Sequence, residues 1–305
     1  MKNKYCELAI VILNYKNYEM TMECVDKLLS NDFKFNIVIV DNNSPNESFE
    51  KLKKKYQNID FLSVIENNNN SGYAAGNNVG INYIKYHYDC KYICIMNPDI
   101  IIEDNSIFDS LINKLEKYKL QGITALQITN NHFDYSTLGW KIPLFKDILL
   151  LNSNIISKIK SPIRYNNFNM ISCKDALAEV DVMPGCFFMM DFNAFEKIGF
   201  FDEGTFLYYE ENILSAKSKE HNYRFGVSLN NFYIHNHKSK DESFKSLKNK
   251  YYDRKILLRS QSYYVNYILK VNNIKKLVYY FSVLINMYIE MPILHIIKKI
   301  KNKYF

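Results

Sequence analysis

YICIMNPDIII, residues 92–102, is an apolar run that is cut once, at Asn97-Pro98-Asp99, and then resumes as Ile100-Ile101-Ile102. Proline fixes φ, and Asn and Asp side chains bond nearby backbone, so these three residues spell an ordinary turn. They also place a carboxylate, Asp99, at the carboxyl end of a buried strand, where it could grip something charged. Which reading explains more depends on the residues around it.

Working outward, the first 130 residues alternate in pattern. LAIVIL (8–13) reads as a buried strand, and 18–30 has helical spacing with Met20, Cys24 and Leu28 on one face. NIVIV (36–40) is a second strand ending at Asp41, followed by a polar-faced helix over 46–56 with Asn46 or Ser44 as its cap. FLSVIE (61–66) is a third strand, 74–86 a helix, and YICIM (92–96) the fourth strand. Continuous apolar strands alternating with helices predict a parallel sheet covered on both faces. In such sheets ligands bind outside the carboxyl ends of the strands. Four ends carry polar clusters: Asn14-Tyr15, Asp41-Asn42-Asn43-Ser44, Asn67–Gly72 and Asn97-Pro98-Asp99. Four coincident polar ends ask for more than turn chemistry.

The second half is less regular. Residues 131–170 show no periodicity and are expected to be loops lining an acceptor side. VDVMPGCFFMMD (180–191) returns to strand, 192–199 is a short helix, 206–223 a longer one, and 224–237 a strand with His235 and His237 at its end. From about 250 the chain turns helical, aromatic and basic. Leu277 to Ile297 is about long enough to cross a bilayer, but Asn286, Glu290, Pro292 and His295 interrupt it, and lysines flank it at 275–276 and 298–303. The expectation is a helix pair lying in a membrane interface, with a span and a core or oligomer contact as the alternatives. The predicted units are therefore 1–245 (halves 1–130 and 131–245) and a basic aromatic tail, 246–305.

The 305 residues are 48% hydrophobic, enough for a substantial core, and the net charge of +7 is modest for the length. Scattered lysines without a basic face exclude a dedicated nucleic-acid binder, while the charge suits an anionic substrate or membrane surface. The six cysteines show no CxxC and no paired spacing, which points to a reducing compartment. The apolar stretch Leu8–Leu13 is shorter than a signal-peptide core. A cytoplasmic protein is expected.

Four further groups carry possible chemistry. NNNNSGYAAGNNVGINYI (67–84) has glycines at 72, 76 and 80, which let backbone approach a ligand closely. It is neither GxGxxG nor a P-loop; an Asn-rich loop before a tightly packed helix reads the same way. Asp41 can cap the turn before Ser44-Pro45, or accept the N3–H of a uracil or thymine ring. Glu210 and Glu211, at a helix start, either favour the helix N-terminus or supply a general base, since adjacent helical residues point about 100° apart. Asp202 and Glu203 lie just upstream. His235 and His237 alternate along a strand and face opposite sides.

Taken in order, VILNY (11–15), VIVDNNS (38–44), NNNNSGYAAGNNVGI (67–81), IMNPDI (95–100), VMPGCFFMMDFNAFEKIGFFDE (182–203), FLYYEEN (206–212) and YIHNHKSK (233–240) resemble the family 2 glycosyltransferases of the GT-A fold. The likeness is to the bacterial rhamnosyltransferase-like branch and covers about 230 residues. It implies a Rossmann-like α/β fold, with a mixed, mostly parallel central sheet flanked by helices and a C-terminal helical extension. Asp41 then looks like the nucleobase-contacting acid, and Asn97-Pro98-Asp99 like the family's metal-binding motif, with Asp99 as ligand. Gly185 looks like the close-packed residue beside the acceptor, Glu211 like the catalytic base, and His235 like the histidine near the donor diphosphate and metal. The donor side is expected to comprise Asn14, Tyr15, Asp41, Asn43, Ser71, Gly72, Asn77, Asn97 and Asp99. The acceptor side is expected to comprise Gly185, Asp202 and Glu210. Three positions depart from the family pattern: Glu211 replaces the usual Asp, Asp191 stands where many relatives have Arg, and Ile213 replaces a frequent acid.

The resemblance further implies an inverting, Mg2+- or Mn2+-dependent transfer from a nucleotide diphosphate sugar, with dTDP-rhamnose leading, to a lipid-linked oligosaccharide of a surface glycan. Such an enzyme would sit on the inner face of the cytoplasmic membrane, with a homodimer possible. A UDP-sugar transferase of the same fold and an inactive nucleotide-sugar or glycan-binding protein are the rivals. A nucleotidyltransferase lacks its glycine-rich, lysine-bearing signature here.

Overall fold

The structure, a computed structural model, describes residues 4–30, 33–130, 132–153, 162–236 and 246–304. It opens with β1 (Lys4–Asn14), α1 (Tyr18–Leu29), β2 (Asn36–Asp41), α2 (Ser48–Tyr56), β3 (Leu62–Glu66), α3 (Tyr73–His87) and β4 (Tyr88–Met96). These four strands are parallel, in the order β3-β2-β1-β4. Residues Leu8 to Ile12 of β1 are entirely buried, because helices cover both faces of a central strand and every side chain meets a core. Even-numbered residues such as Ile10, Ile12 and Cys94 join one core with α1 and α2; odd-numbered Val11, Ile93 and Ile95 join the other with α3.

Beyond the turn come β5 (Ile100–Ile101), α4 (Ser106–Tyr118), β6 (Gly122–Thr129), β7 (His132–Phe133), α5 (Phe145–Asn152), β8 (Asn169–Ser172), β9 (Leu177–Val180), β10 (Phe187–Asp191), α6 (Phe192–Lys197), α7 (Glu210–Glu220) and β11 (Phe225–His235). The sheet continues β4-β10-β6-β11-β9-β8. β10 runs antiparallel between β4 and β6, and β11 runs parallel to β6. The expected mixed, mostly parallel sheet with flanking helices is present.

Four local expectations are corrected. The single strand over 180–191 is two: β9 ends at Val180, and Pro184-Gly185 carry the chain across to β4, where β10 begins. The helix expected from 206 starts only at Glu210, because Tyr208 and Tyr209 both take positive φ, 75° and 73°. Neither Asn46 nor Ser44 caps α2, whose cap position is Glu47. Instead Asn46 donates to the Lys16 carbonyl (3.0 Å) and the Lys16 amide donates to Ser44 Oγ (2.8 Å), stitching two strand ends together. Residues 131–170 are not all loop, since they hold β7, α5 and the start of β8, elements too short to show a period.

The tail folds as α8 (Leu247–Tyr263), extended to Ile268 by a π turn, then α9 (Asn273–Ile285), a second π turn (Asn286–Glu290) and α10 (Met291–Tyr304). Asn272 caps α9 by accepting from the Lys275 amide, 3.0 Å. A third core cluster joins this tail to the body through Ile148, Tyr209, Ile213, Tyr264, Val265 and Tyr279.

Candidate active site

Three groups of side chains stand at the carboxyl ends of the parallel strands. The first centres on Asp41, which is fully buried. Register places it beside Asn14, whose Nδ2 donates to Asp41 Oδ2 at 2.7 Å; the Ser44 amide donates to Oδ1 at 2.8 Å. Thr21 Oγ1 holds Asn14 in turn, 2.7 Å. The turn-capping role of Asp41 is therefore real, and each carboxylate oxygen has one lone pair left for a ligand. Asn42, part of the polar strand end but absent from the expected donor side, joins the loops: it accepts from Asn67 (2.9 Å) and donates to Asn70 Oδ1 (3.0 Å) and the Gly72 carbonyl (3.3 Å). Asn43 is exposed and donates to the Asn68 carbonyl; Ser71 is exposed and donates to Asn69; Tyr15 is exposed. Asn77 lies inside α3, its Nδ2 on the Tyr73 carbonyl and its Oδ1 buried without a hydrogen-bond partner among the described residues.

The second group is organised by Tyr73, which no expectation included. Gly72 has φ +105° and lies so close to Phe206 that a Cβ would stand 2.2 Å from its carbonyl oxygen. The Tyr73 amide donates to that same oxygen at 2.9 Å. The Tyr73 hydroxyl lies 2.7 Å from the Gly185 carbonyl and 3.0 Å from Asn97 Oδ1, so its single hydrogen serves one or the other. The Asn97 amide donates to the Cys186 carbonyl, 2.8 Å. One tyrosine thus ties the Asn-Pro-Asp turn to the Pro184-Gly185 crossing. The aromatic after SG in NNNNSGY was its only sequence signal.

Glu210 and Glu211 belong to this group. Glu211 keeps partial access to solvent, and its Oε2 lies 3.8 Å from where a Cβ on Gly185 would stand. Desolvation by the surrounding protein raises its pKa above the ordinary carboxylate range. Glu210 is buried, its Oε1 without a hydrogen-bond partner among the described residues, and its pKa is pushed up to about 8 by burial first and by the neighbouring Glu211 second. The left-handed pair Tyr208-Tyr209 aims both acids, and such backbone costs roughly 1–2 kcal/mol per residue. α8 holds it in place. Ser260 Oγ donates to the Leu207 carbonyl (2.8 Å) and Gln261 Nε2 to the Tyr209 hydroxyl (2.9 Å). The Tyr263 ring lies against Gly204, and its hydroxyl donates to Asp202 Oδ1 (2.9 Å), which also accepts from the Gly204 amide. Asp202 thus braces the loop against α8. These α8 contacts carry no motif and could not be read from the sequence.

The third group pairs Asp99 with His235. β11 meets β5 with His235 opposite Ile100, and the Asn236 amide donates to the Asp99 carbonyl at 2.8 Å. This places His235 Nε2 3.1 Å from Asp99 Oδ2, with both side chains largely buried. No group of three or more His, Cys, Asp or Glu placed to hold a metal ion occurs among the described residues. His237 lies outside them.

Parallel strands with polar carboxyl ends, an antiparallel β10 beside them, and a carboxylate pair at the start of α7 make up a GT-A glycosyltransferase fold. The chain belongs to glycosyl transferase family 2, whose model matches residues 9–199. It is 28% identical over 255 residues to the low-salt glycan biosynthesis hexosyltransferase Agl10 of Haloferax volcanii, covering 81% of this chain and 73% of that protein. It is 23% identical over 209 residues to the rhamnosyltransferase WbbL of Escherichia coli, covering 66% and 73%. Among solved structures, GalNAc-T7 with UDP, GalNAc and Mn2+ superposes with TM-score 0.57 at 14% identity over 76% of this chain, which spans 44% of that longer one. The mannosyltransferase PcManGT of Pyrobaculum calidifontis, in complex with GDP-Man and Mn2+, gives TM-score 0.54 at 8% identity over 98% and 86%.

Proposed function

We propose that this glycosyltransferase inverts the anomeric centre in a single in-line displacement with Glu211 as the base. The observation that carries the reading is the placement of the Glu211 carboxylate beside the bare backbone of Gly185. That backbone is joined through Tyr73 to Asn97, two residues before Asp99. Glu211 would take the proton of an acceptor hydroxyl, whose oxygen forms the new bond to the anomeric carbon as the bond to the nucleotide diphosphate breaks. A base with a raised pKa suits an alcohol better than an ordinary carboxylate does. Glu210, protonated over much of the neutral range, would leave Glu211 free of a second adjacent charge.

Asn14, Tyr15, Asp41, Asn43, Ser71, Gly72, Asn77 and Asn97 are the proposed donor side, with Asp41 on the nucleobase. Gly185, Glu210 and Asp202 are the proposed acceptor side. The Asp99 carboxylate at a strand end is the kind of oxygen ligand that Mn2+ or Mg2+ takes, with substrate phosphates completing the shell. Asp99 and His235 would hold that ion, which when bound supplies positive charge against the leaving diphosphate. The likeness to a rhamnosyltransferase supports rhamnose as the sugar, with dTDP-rhamnose as the leading donor; a UDP-linked galactose, glucose, N-acetylhexosamine or galactofuranose is the second reading. A lipid-linked surface glycan is the proposed acceptor. Incubation with a panel of nucleotide sugars plus Mn2+, with nucleotide release as readout, tests the reading: no release from any donor would leave a binding protein instead.

A further inference from the structure

α9 and α10 form one helix whose polarity is inverted. Its seam against the body carries the polar groups. Asn152 Nδ2 donates to Ser282 Oγ (3.0 Å), Tyr251 Oη to the Met287 carbonyl (2.6 Å), Arg254 Nε to Asn286 Oδ1 (2.9 Å) and Ser153 Oγ to Glu290 Oε1 (2.7 Å). The opposite side exposes Leu277, Phe281, Leu284, Tyr288, Ile289 and Ile296, each more than half exposed. Between Lys276 and Lys298 the only fully charged side chain is Glu290, and it lies on the seam. A surface helix of a globular protein turns its apolar stripe inward; this one turns it out.

We propose that the helix from Asn273 lies in the plane of an anionic bilayer interface, with the Leu277–Ile296 stripe among the acyl chains. A span is disfavoured by the seam: from Tyr279, buried under α8, to Glu290, the helix is fastened sideways to α5 and α8. Standing it across a membrane would take Arg254, Lys255 and Arg259 of α8 into hydrocarbon, at a cost of several kcal/mol. A second copy of the chain could cover an apolar stripe, but it would not call for Lys275 and Lys276 at one end and Lys298, Lys299, Lys301 and Lys303 at the other. Basic flanks around an apolar face match anionic headgroups around acyl chains. The proposal is independent of which sugar is moved, and of whether Glu211 is the base.

Flotation of the purified full chain with phosphatidylcholine vesicles, with and without phosphatidylglycerol, tests it. The expected result is binding that strengthens with phosphatidylglycerol, is released by alkaline carbonate, and falls at least about tenfold in the triple variant Leu277→Glu, Phe281→Glu, Ile289→Glu. Thermal unfolding of that variant checks its fold, and the single Tyr288→Glu, expected to weaken binding in the same direction, serves if the triple variant melts early. Absence of vesicle binding overturns the proposal. So does carbonate-resistant retention, the mark of a span. So does a dimer without vesicle binding that the same substitutions dissociate.

Discussion

The carboxylate of Glu211 looks onto a backbone with no side chain: its Oε2 lies 3.8 Å from the position a Cβ on Gly185 would take. An alanine therefore fits in ordinary contact, while a longer side chain fills the space in front of the base. Gly185→Ala should retain a few-fold-reduced turnover with a raised acceptor KM. Gly185→Leu should lose transfer while nucleotide titration by calorimetry stays near wild type. Loss of nucleotide binding in the leucine variant would mean the space belongs to the donor.

Glu211→Gln keeps shape and removes the base. Turnover should fall by about 10²–10⁴-fold, the usual worth of a positioned general base, with nucleotide affinity unchanged. Near-normal turnover would move the base elsewhere, with Glu210 the first candidate.

Asp99→Asn and His235→Ala each remove one partner of the 3.1 Å pair. If the pair holds a divalent ion, both variants should lose Mn2+-stimulated nucleotide release, and the Mn2+ concentration for half-activity should rise at least about tenfold. Calorimetric Mn2+ titration in the presence of nucleotide diphosphate checks it. Unchanged metal affinity in both variants would reduce the pair to a clasp between β5 and β11.

How much of this was legible follows the physics of each feature. β1, β2 and β4 were plain because strands buried on both faces must be apolar throughout, and Asp41 and Asp99 stood out as the charges that end such runs. The pairing of Asp99 with a residue 136 positions later was not written locally; alternation along the strand put His235 and His237 on opposite faces, family resemblance chose His235, and the β5–β11 register supplies the contact. The two left-handed tyrosines before Glu210 were invisible, since helical spacing continues through them and the residues that contact their turn, Ser260 and Gln261, lie far along the chain. The tail read correctly as basic, aromatic and helical, but its composition could not reveal that its polar residues face inward.

Glu210 gives stability a pH dependence of known sign. Its folded pKa, about 8, lies above the ordinary 4.5, so the folded protein holds a proton that the unfolded chain releases. Stability therefore falls as pH climbs through that window and levels off above it. Melting curves should show wild type and Glu210→Gln close together near about pH 5 and the variant higher near about pH 9. The acid limb of turnover should also lie above the usual carboxylate range, because Glu211 must lose its proton to act and its pKa is raised too. Equal melting at both pH values would mean Glu210 is ionised throughout.

The contacts of α8 to the Tyr208-Tyr209 turn are the last expectation, and they separate positioning from binding. Ser260→Ala removes the donor to the Leu207 carbonyl, and Gln261→Leu removes the donor to the Tyr209 hydroxyl. Neither residue lies at the polar strand ends proposed to hold the donor. Each hydrogen bond is worth about 1 kcal/mol, enough together to let a strained turn relax toward ordinary φ. The double variant should stay folded with a lowered Tm, keep its donor KM, and lose kcat by about tenfold or more, because Glu210 and Glu211 follow that turn. Tyr263→Phe, which loses only the bond to Asp202, should do less. A double variant that loses donor affinity in step with kcat would show that α8 shapes the donor pocket, and one with unchanged kcat would show that the turn holds its conformation unaided.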